Sequence, residues 1–188
     1  MTTWFTSDWH LNHFNIIKYC GRPFIDLQEM NSTIIQRFNE RVKEDDLVFY
    51  LGDFCFKSGS GRGEGEPAKA DIFRNQLNCK NIIFIEGNHD KGGKNSLKTP
   101  IRKIIIHYGG KDICMTHNPE HADFRYDFNI VGHVHEKWMF KRFRSGQTFT
   151  DCCNVSVEMW NYRPIAWGEI ISEYSKWYKK EFENEKSK

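Results

Sequence analysis

Apolar and polar positions along the chain follow two periods in turn, and each period marks an element. Thr3 to Ser7 reads as a first strand ending at Asp8. Asp26 followed by Glu29 has capping-box spacing, and Met30, Ile34, Ile35, Phe38 and Val42 then share one helical face. Leu47 to Leu51 is a short run without polar residues closed by Gly52, as expected for a strand buried on both faces. Pro67 stands at the first turn of a helix predicted to about Leu77, and Asn81 to Glu86 reads as another buried strand. Lys103 to His107 and Asp112 to Thr116, either side of Gly109-Gly110, predict a β-hairpin. Phe128 to Val131 and Asn154 to Met159 read as further strands. Trp167, Ile170, Ile171, Tyr174 and Tyr178 mark a C-terminal amphipathic helix beginning near Pro164. Strands alternate with helices early and pair antiparallel late, which predicts a mixed α and β fold. The expectation is one domain over residues 1–182 with a charged, frayed tail at 183–188.

Composition narrows the partners. The chain has 188 residues, 39% apolar and 28% charged, a globular profile. Its longest apolar run, Leu47 to Leu51, is far short of a membrane span. Lys and Arg total 27 against 25 Asp and Glu, so the net charge of +2 disfavours stable binding of duplex nucleic acid through its backbone. Acidic substrates would need a local site rather than a global field. Met1 to Asp8 lacks the pattern of an export signal, and the six cysteines form no CxxC pair, so reduced thiols in a cytoplasmic protein are expected. The Gly-rich stretch from Lys57 to Pro67 matches no phosphate-cradling spacing and reads as a surface loop.

Chemistry gathers where the strands stop. The first is followed by Asp8-Trp9-His10, the second by Gly52-Asp53, and the third by Gly87-Asn88-His89-Asp90. The hairpin ends in Thr116-His117, and the next strand in Gly132-His133-Val134-His135. Each motif alone fits an ordinary polar turn. Together they place five of the eight histidines at strand ends, where α/β sheets hold ligands. The set suits two divalent ions: Asp8, His10, Asp53 and His135 around one, Asp53, Asn88, His117 and His133 around the other. Asp53 is the natural bridge, because a carboxylate offers an oxygen to each. Imidazole and oxygen ligation without thiolate suits Mn²⁺ first, with Fe, Zn²⁺ or Ni²⁺ as alternatives.

This ordered set resembles the calcineurin-like metallophosphoesterases. The opening Ser7-Asp8-Trp9-His10-x-x-His13-x-Asn15-Ile16-Ile17 and the later Asn154-Val155-Ser156-Val157-Glu158-x-Trp160-Asn161-Tyr162-x-Pro164 resemble a compact bacterial and phage branch of that family. The resemblance implies a four-layer α/β/β/α sandwich of two mixed sheets flanked by helices, with a dinuclear centre at one end. One departure stands out. Family protein phosphatases carry Asp-Arg-Gly soon after Gly-Asp, where this chain has Phe54-Cys55-Phe56-Lys57, which argues against a phosphoprotein substrate.

The expected activity is therefore phosphodiester hydrolysis, on a nucleotide, a cyclic nucleotide or an RNA end. A hydroxide between the ions would attack phosphorus, and His89 would protonate the leaving oxygen with Asp90 orienting its ring. His13, Asn15 and Arg22 are candidate substrate contacts. The alternatives are a broad phosphomonoesterase and a non-catalytic scaffold that keeps the fold. Oligomeric state is not legible.

Overall fold

The computed structural model describes residues 1–56, 70–90 and 99–183. Among these, nine strands form two mixed sheets flanked by helices. The first sheet contains β1 (Thr3–Thr6), β2 (Leu47–Tyr50), β3 (Asn81–Phe84) and β9 (Ile165–Ala166), in the order β3-β2-β1-β9. Its first three strands are parallel, with Phe5 opposite Phe49 and Phe49 opposite Ile83, and β9 closes one edge antiparallel. The second sheet contains β4 (Lys103–Tyr108), β5 (Lys111–Thr116), β6 (Phe128–Val131), β7 (Phe140–Ser145) and β8 (Thr148–Asn154), in the order β4-β5-β6-β8-β7.

Two apolar clusters explain the layering. Alternate residues of a strand point to opposite faces. Trp4, Val48 and Tyr50 face α2 (Leu27–Arg41) and pack on Met30, Ile34, Ile35 and Phe38. Phe5, Phe49, Leu51 and Ile85 face the second sheet and meet Ile113, Met115, Phe128 and Ile130. The same cluster takes in Trp167, Ile170, Tyr174 and Trp177 from α4 (Trp167–Tyr178), spaced three and four residues apart. Each fully buried side chain of this size contributes roughly 2–3 kcal/mol of hydrophobic stabilisation.

Several expectations need correction. Glu29 N–H donates to Asp26 at the start of α2, but the Glu29 carboxylate reaches back to the Ile25 N–H, one residue beyond a capping box. A short α1 (Phe14–Tyr19) follows the first motif; only its Ile16 is buried, too little apolar signal to read from periodicity. The later strands are not all antiparallel: β5-β6 and β6-β8 are parallel. No strand spans Asn154 to Met159. Instead β7 and β8 form a hairpin, β8 ends at Asn154, and Val157–Trp160 is a 3-10 turn. Asn154 turns the chain, since its Oδ1 accepts from both the N–H and the hydroxyl of Ser156. In β7 the basic residues hid an edge strand whose Arg142 pairs with Asp151 through two 2.7 Å contacts. The helix expected from Pro67 is described only as α3 (Ala70–Arg74). The Gly-rich stretch from Lys57 to Pro67 lies outside the described residues, as does the tail expected at 183–188 beyond its first residue. No helix among the described residues is long and apolar enough to cross a membrane.

Candidate metal centre

The carboxyl ends of β1, β2, β3, β5 and β6 come together at one end of the two sheets, and each delivers polar side chains there. Backbone bonds lock the delivering loops to one another. Asp8 N–H donates to Gly52 O, His10 N–H to Asp53 O, and Gly132 N–H to His117 O, all at about 3 Å. The packing leaves no room for side chains at two glycines: a Cβ on Gly87 would lie 2.1 Å from Asp53 Oδ1, and one on Gly132 would lie 2.5 Å from Asp8 Oδ2.

The loops are also strained. Asp8, His10, Asp53, His133 and His135 all have left-handed backbones, with φ between 49° and 73°. Such conformations cost about 1 kcal/mol or more per non-glycine residue and persist where surrounding structure over-determines them. Five of the seven expected ligands bear this cost, which marks the loops as shaped for the site rather than for stability.

Two donor groups share one carboxylate. Asp53 Oδ2 lies 3.4 Å from His10 Nε2 and 3.3 Å from His117 Nε2. On one side, donor atoms of Asp8, His10 and His135 lie within 4.8 Å of one another; on the other, those of Asp53, His117 and His133 do. Asn88 Oδ1 joins the second group, 3.0 Å from His117 Nε2 and 2.9 Å from His133 Nδ1. All seven expected ligands thus converge. A cation fits this arrangement on direct grounds. Both ring nitrogens of His10 are buried without a hydrogen-bond partner among the described residues, an expensive state for a polar ring unless an ion takes a lone pair.

Surrounding groups aim the ligands. The Leu51 carbonyl can only accept, so His117 carries its proton on Nδ1, 2.6 Å away, and turns Nε2 inward. Glu158 does the same for His135, whose Nδ1 lies 2.9 Å from Oε1. Asp8 Oδ2 accepts from the hydroxyls of Ser7 and Ser156 and from His133 N–H. Glu158 and Ser156 were missed as functional positions. Their segment carried the family resemblance, but nothing in its pattern tells an aiming acceptor from a turn residue.

The expected catalytic and substrate residues separate. His89 is exposed, its backbone N–H donates to Asp53 Oδ1 at 2.8 Å, and its ring centre lies 5.1 Å from that of His10. Asp90 does not orient that ring. Its buried carboxylate instead accepts the backbone N–H groups of Asp53 at 2.7 Å, Gly87 at 2.8 Å and Phe54 at 3.4 Å. Arg22 is no substrate contact either. It is buried, its guanidinium donates to the Asp8 and Trp9 carbonyls, and it pairs with Glu158 at 2.6 Å. His13 is buried, stacks on Phe56 with centres 3.9 Å apart, and reaches the His10 ring at 5.5 Å. Asn15 is half-buried on α1.

Charge is arranged for cations. Burial opposes ionisation of Asp53, yet the hydrogen bond and charge of His117, with the His89 backbone N–H, outweigh it and hold the carboxyl well below the usual carboxylate range. Burial likewise opposes protonation of His117, but Asp53, Asp8 and the Leu51 carbonyl push it up to about 9. His10 shifts the other way: burial lowers it far below the ordinary imidazole value and keeps it neutral. Burial and the charges of His89 and Arg22 lower His13 to about 4.

Comparison with known proteins agrees with this geometry. Residues 1–137 match the family model of the calcineurin-like phosphoesterases. An uncharacterized protein of Methanocaldococcus jannaschii is 35% identical over 168 residues, covering 88% of this chain and 86% of that one. The gene 66 protein of Mycobacterium phage L5 is 28% identical over 106 residues, covering 56% of this chain and 47% of its own. A solved structure of a protein of unknown function from Aquifex aeolicus shares the fold, with a TM-score of 0.65 at 23% identity, over 91% of this chain and 98% of that one. This chain belongs to the calcineurin-like phosphoesterases, a family of hydrolases that use divalent metal ions.

Proposed function

We propose that the protein is a dinuclear metal phosphodiesterase acting on small nucleotide-type substrates. The observation that carries this reading is the position of Asp53 Oδ2 between His10 and His117, one oxygen common to two groups of donors. Asp8, His10, Asp53 and His135 would hold one ion, and Asp53, Asn88, His117 and His133 the other, with Mn²⁺ the first choice for such N and O donors. When bound, the ions supply a nucleophile from water at neutral pH and offset charge on the phosphoryl oxygens.

The chain's own residues do the rest. Tying the His89 backbone to Asp53 fixes the residue beside His10, and its exposed imidazole is the group that donates a proton to the leaving oxygen. His13, wedged between Phe56 and the His10 ring, keeps a neutral imidazole that contributes a wall and hydrogen-bonding capacity rather than charge. Phe54-Cys55-Phe56-Lys57 offers no arginine to grip a phosphoprotein, which favours the diester over the protein monoester. Asn15, half-buried on α1, is a further candidate contact. Retention of all seven ligands, with five held in costly backbone conformations, supports an enzyme over a scaffold.

The test is turnover of bis(p-nitrophenyl) phosphate against p-nitrophenyl phosphate with Mn²⁺ added back to metal-depleted protein, followed by 2′,3′- and 3′,5′-cyclic nucleotides and dinucleotides. Metal-dependent hydrolysis favouring diesters is expected. A monoester preference selects the phosphomonoesterase instead, and a folded protein that takes up no metal revives the scaffold.

A further inference from the structure

A cavity of about 320 Å³ opens on the Asn88 and His117 side of the centre, and His89 is not among its lining residues. It has the size of a small-ligand pocket. Besides Asn88 and His117 it is lined by Glu86, Arg102, Thr116 and His121. Arg102 is the group to explain. Its Nε donates to Glu86 Oε2 at 2.9 Å, which fixes the direction of the guanidinium, while the side chain stays 79% exposed. No partner takes its two Nη amino groups among the described residues. His121 sits in a short 3-10 turn (Pro119–His121) on the same wall, its side chain exposed and its backbone N–H used by Asn118.

Charge alone does not make this an anion site, since Arg102 and Glu86 cancel. Direction does. An arginine held at Nε by a carboxylate presents its remaining N–H groups as a planar fork, the geometry that suits two phosphate oxygens. Arg102 lines the cavity, and the cavity shares two walls, Asn88 and His117, with the metal centre.

We infer that this cavity holds one arm of the substrate and that Arg102, with His121 beside it, binds a second phosphate on that arm. The preferred substrate class is then a phosphodiester between nucleotides in which one nucleotide carries a further terminal phosphate. This rests on the phosphodiesterase reading above and narrows it. Glu86 is a positioning residue, and Arg102 sets specificity.

The experiment compares a dinucleotide bearing a 5′- or 3′-terminal phosphate with the same dinucleotide lacking it. One phosphorylated form should have kcat/KM about tenfold above the bare one, as charge-assisted hydrogen bonds of this kind allow. Arg102→Ala should bring that ratio close to one, and Arg102→Lys, which keeps the charge and loses the fork, should fall between. Independently, metal-depleted protein should bind adenosine 3′,5′-bisphosphate about tenfold more weakly in Arg102→Ala, measured by calorimetry. Equal rates on both dinucleotides in the native protein, or a ratio and a Kd that Arg102→Ala leaves in place, would overturn the inference. Failure of the native protein to hydrolyse any diester with Mn²⁺ overturns the phosphodiesterase reading instead, and the bisphosphate titration still decides the cavity.

Discussion

Asp90 Oδ2 accepts the backbone N–H of Asp53 at 2.7 Å and that of Gly87 at 2.8 Å, so one buried oxygen fastens the loop after β2 to the loop after β3. The carboxylate acts on the centre through the backbone of its bridging ligand. In Asp90→Asn, the amide can offer only one acceptor oxygen and turns its NH₂ toward a third donor. At least one buried N–H loses its partner, a loss of about 1–3 kcal/mol. Metal affinity should fall by about 10–100-fold, because a neutral amide oxygen holds the Asp53 N–H more weakly than the carboxylate does and fixes its left-handed conformation less firmly. Thermal unfolding of metal-depleted protein should shift down by several degrees, and metal titration should show the weaker binding. Native affinity in a folded Asp90→Asn protein would refute the brace.

Protonation predicts how metal uptake responds to pH. His117 is raised to about 9, and His135, favoured as a cation by Cys20, Glu158 and Asp8 despite its burial, to about 11. Without metal both imidazoles carry a proton at neutral pH, and an ion must displace it. Loading at pH 7 should therefore release on the order of two protons, and affinity should rise from pH 6 to pH 8. Calorimetry in buffers of different ionisation enthalpy measures the release.

Stability of the metal-depleted protein should follow the opposite course. The raised His117 contributes stability that is complete below its unfolded value of about 6.5 and is lost as pH climbs through about 9. The depressed Asp53 contributes stability present above about 3.9 and lost in stronger acid. The melting temperature should peak between these limits and decline from pH 7 to pH 9.5, while metal-loaded protein holds level there. Parallel profiles with and without metal would mean that these residues titrate independently of the ion.

The ligand set was legible because each member follows a short apolar strand, and strand ends are where period and polarity change together. Asp8, Asp53, Asn88 and His117 announce themselves that way. Roles resting on side-chain direction were not legible. Asp90 stands next to His89, and adjacency suggested a partner, yet neighbouring residues point apart and its carboxylate faces the backbone of Asp53. Arg22 looked like a phosphate grip because arginine after a metal motif suits anions; only tertiary packing reveals Glu158, 136 residues away, as its partner. The β7–β8 hairpin escaped for a related reason. Its Arg142 is covered by Phe149 and Phe182, with the guanidinium 4.0 and 4.1 Å from the ring centres, so a charged position plays a packing part that no hydrophobic period records.

Gly87 tests the closeness of the loops. An added Cβ would stand 2.1 Å from Asp53 Oδ1 and 2.4 Å from Asp53 N, and backbone cannot yield as a flexible side chain can. Gly87→Ala should push Asp53 away from His10 and His117, with metal binding and turnover falling together by at least about tenfold. Gly146→Ala is the control: its Cβ would meet nothing within 4 Å, though its positive φ adds strain, so stability should drop slightly while metal binding stays. Equal metal affinity in Gly87→Ala and the native protein would show that the loops can separate without harm.

Arg22 and Glu158 form an ion pair almost wholly shielded from water, with side chains 0% and 4% exposed. Removing one partner of such a pair strands the other, at about 3–5 kcal/mol. Arg22→Met should lose that much in urea unfolding, since Glu158 would keep only His135 and the Asp8 and Trp9 carbonyls would lose their donors. Arg22→Met combined with Glu158→Gln should cost less than the sum of the two single changes, because the stranded charge is gone. Activity should not recover with stability: the neutral amide introduced by Glu158→Gln accepts more weakly from His135 Nδ1, and the ring loses the anion that aims it. Strictly additive losses, or recovery of turnover in the double variant, would mean that the pair does not tie the first metal motif to the aiming of His135.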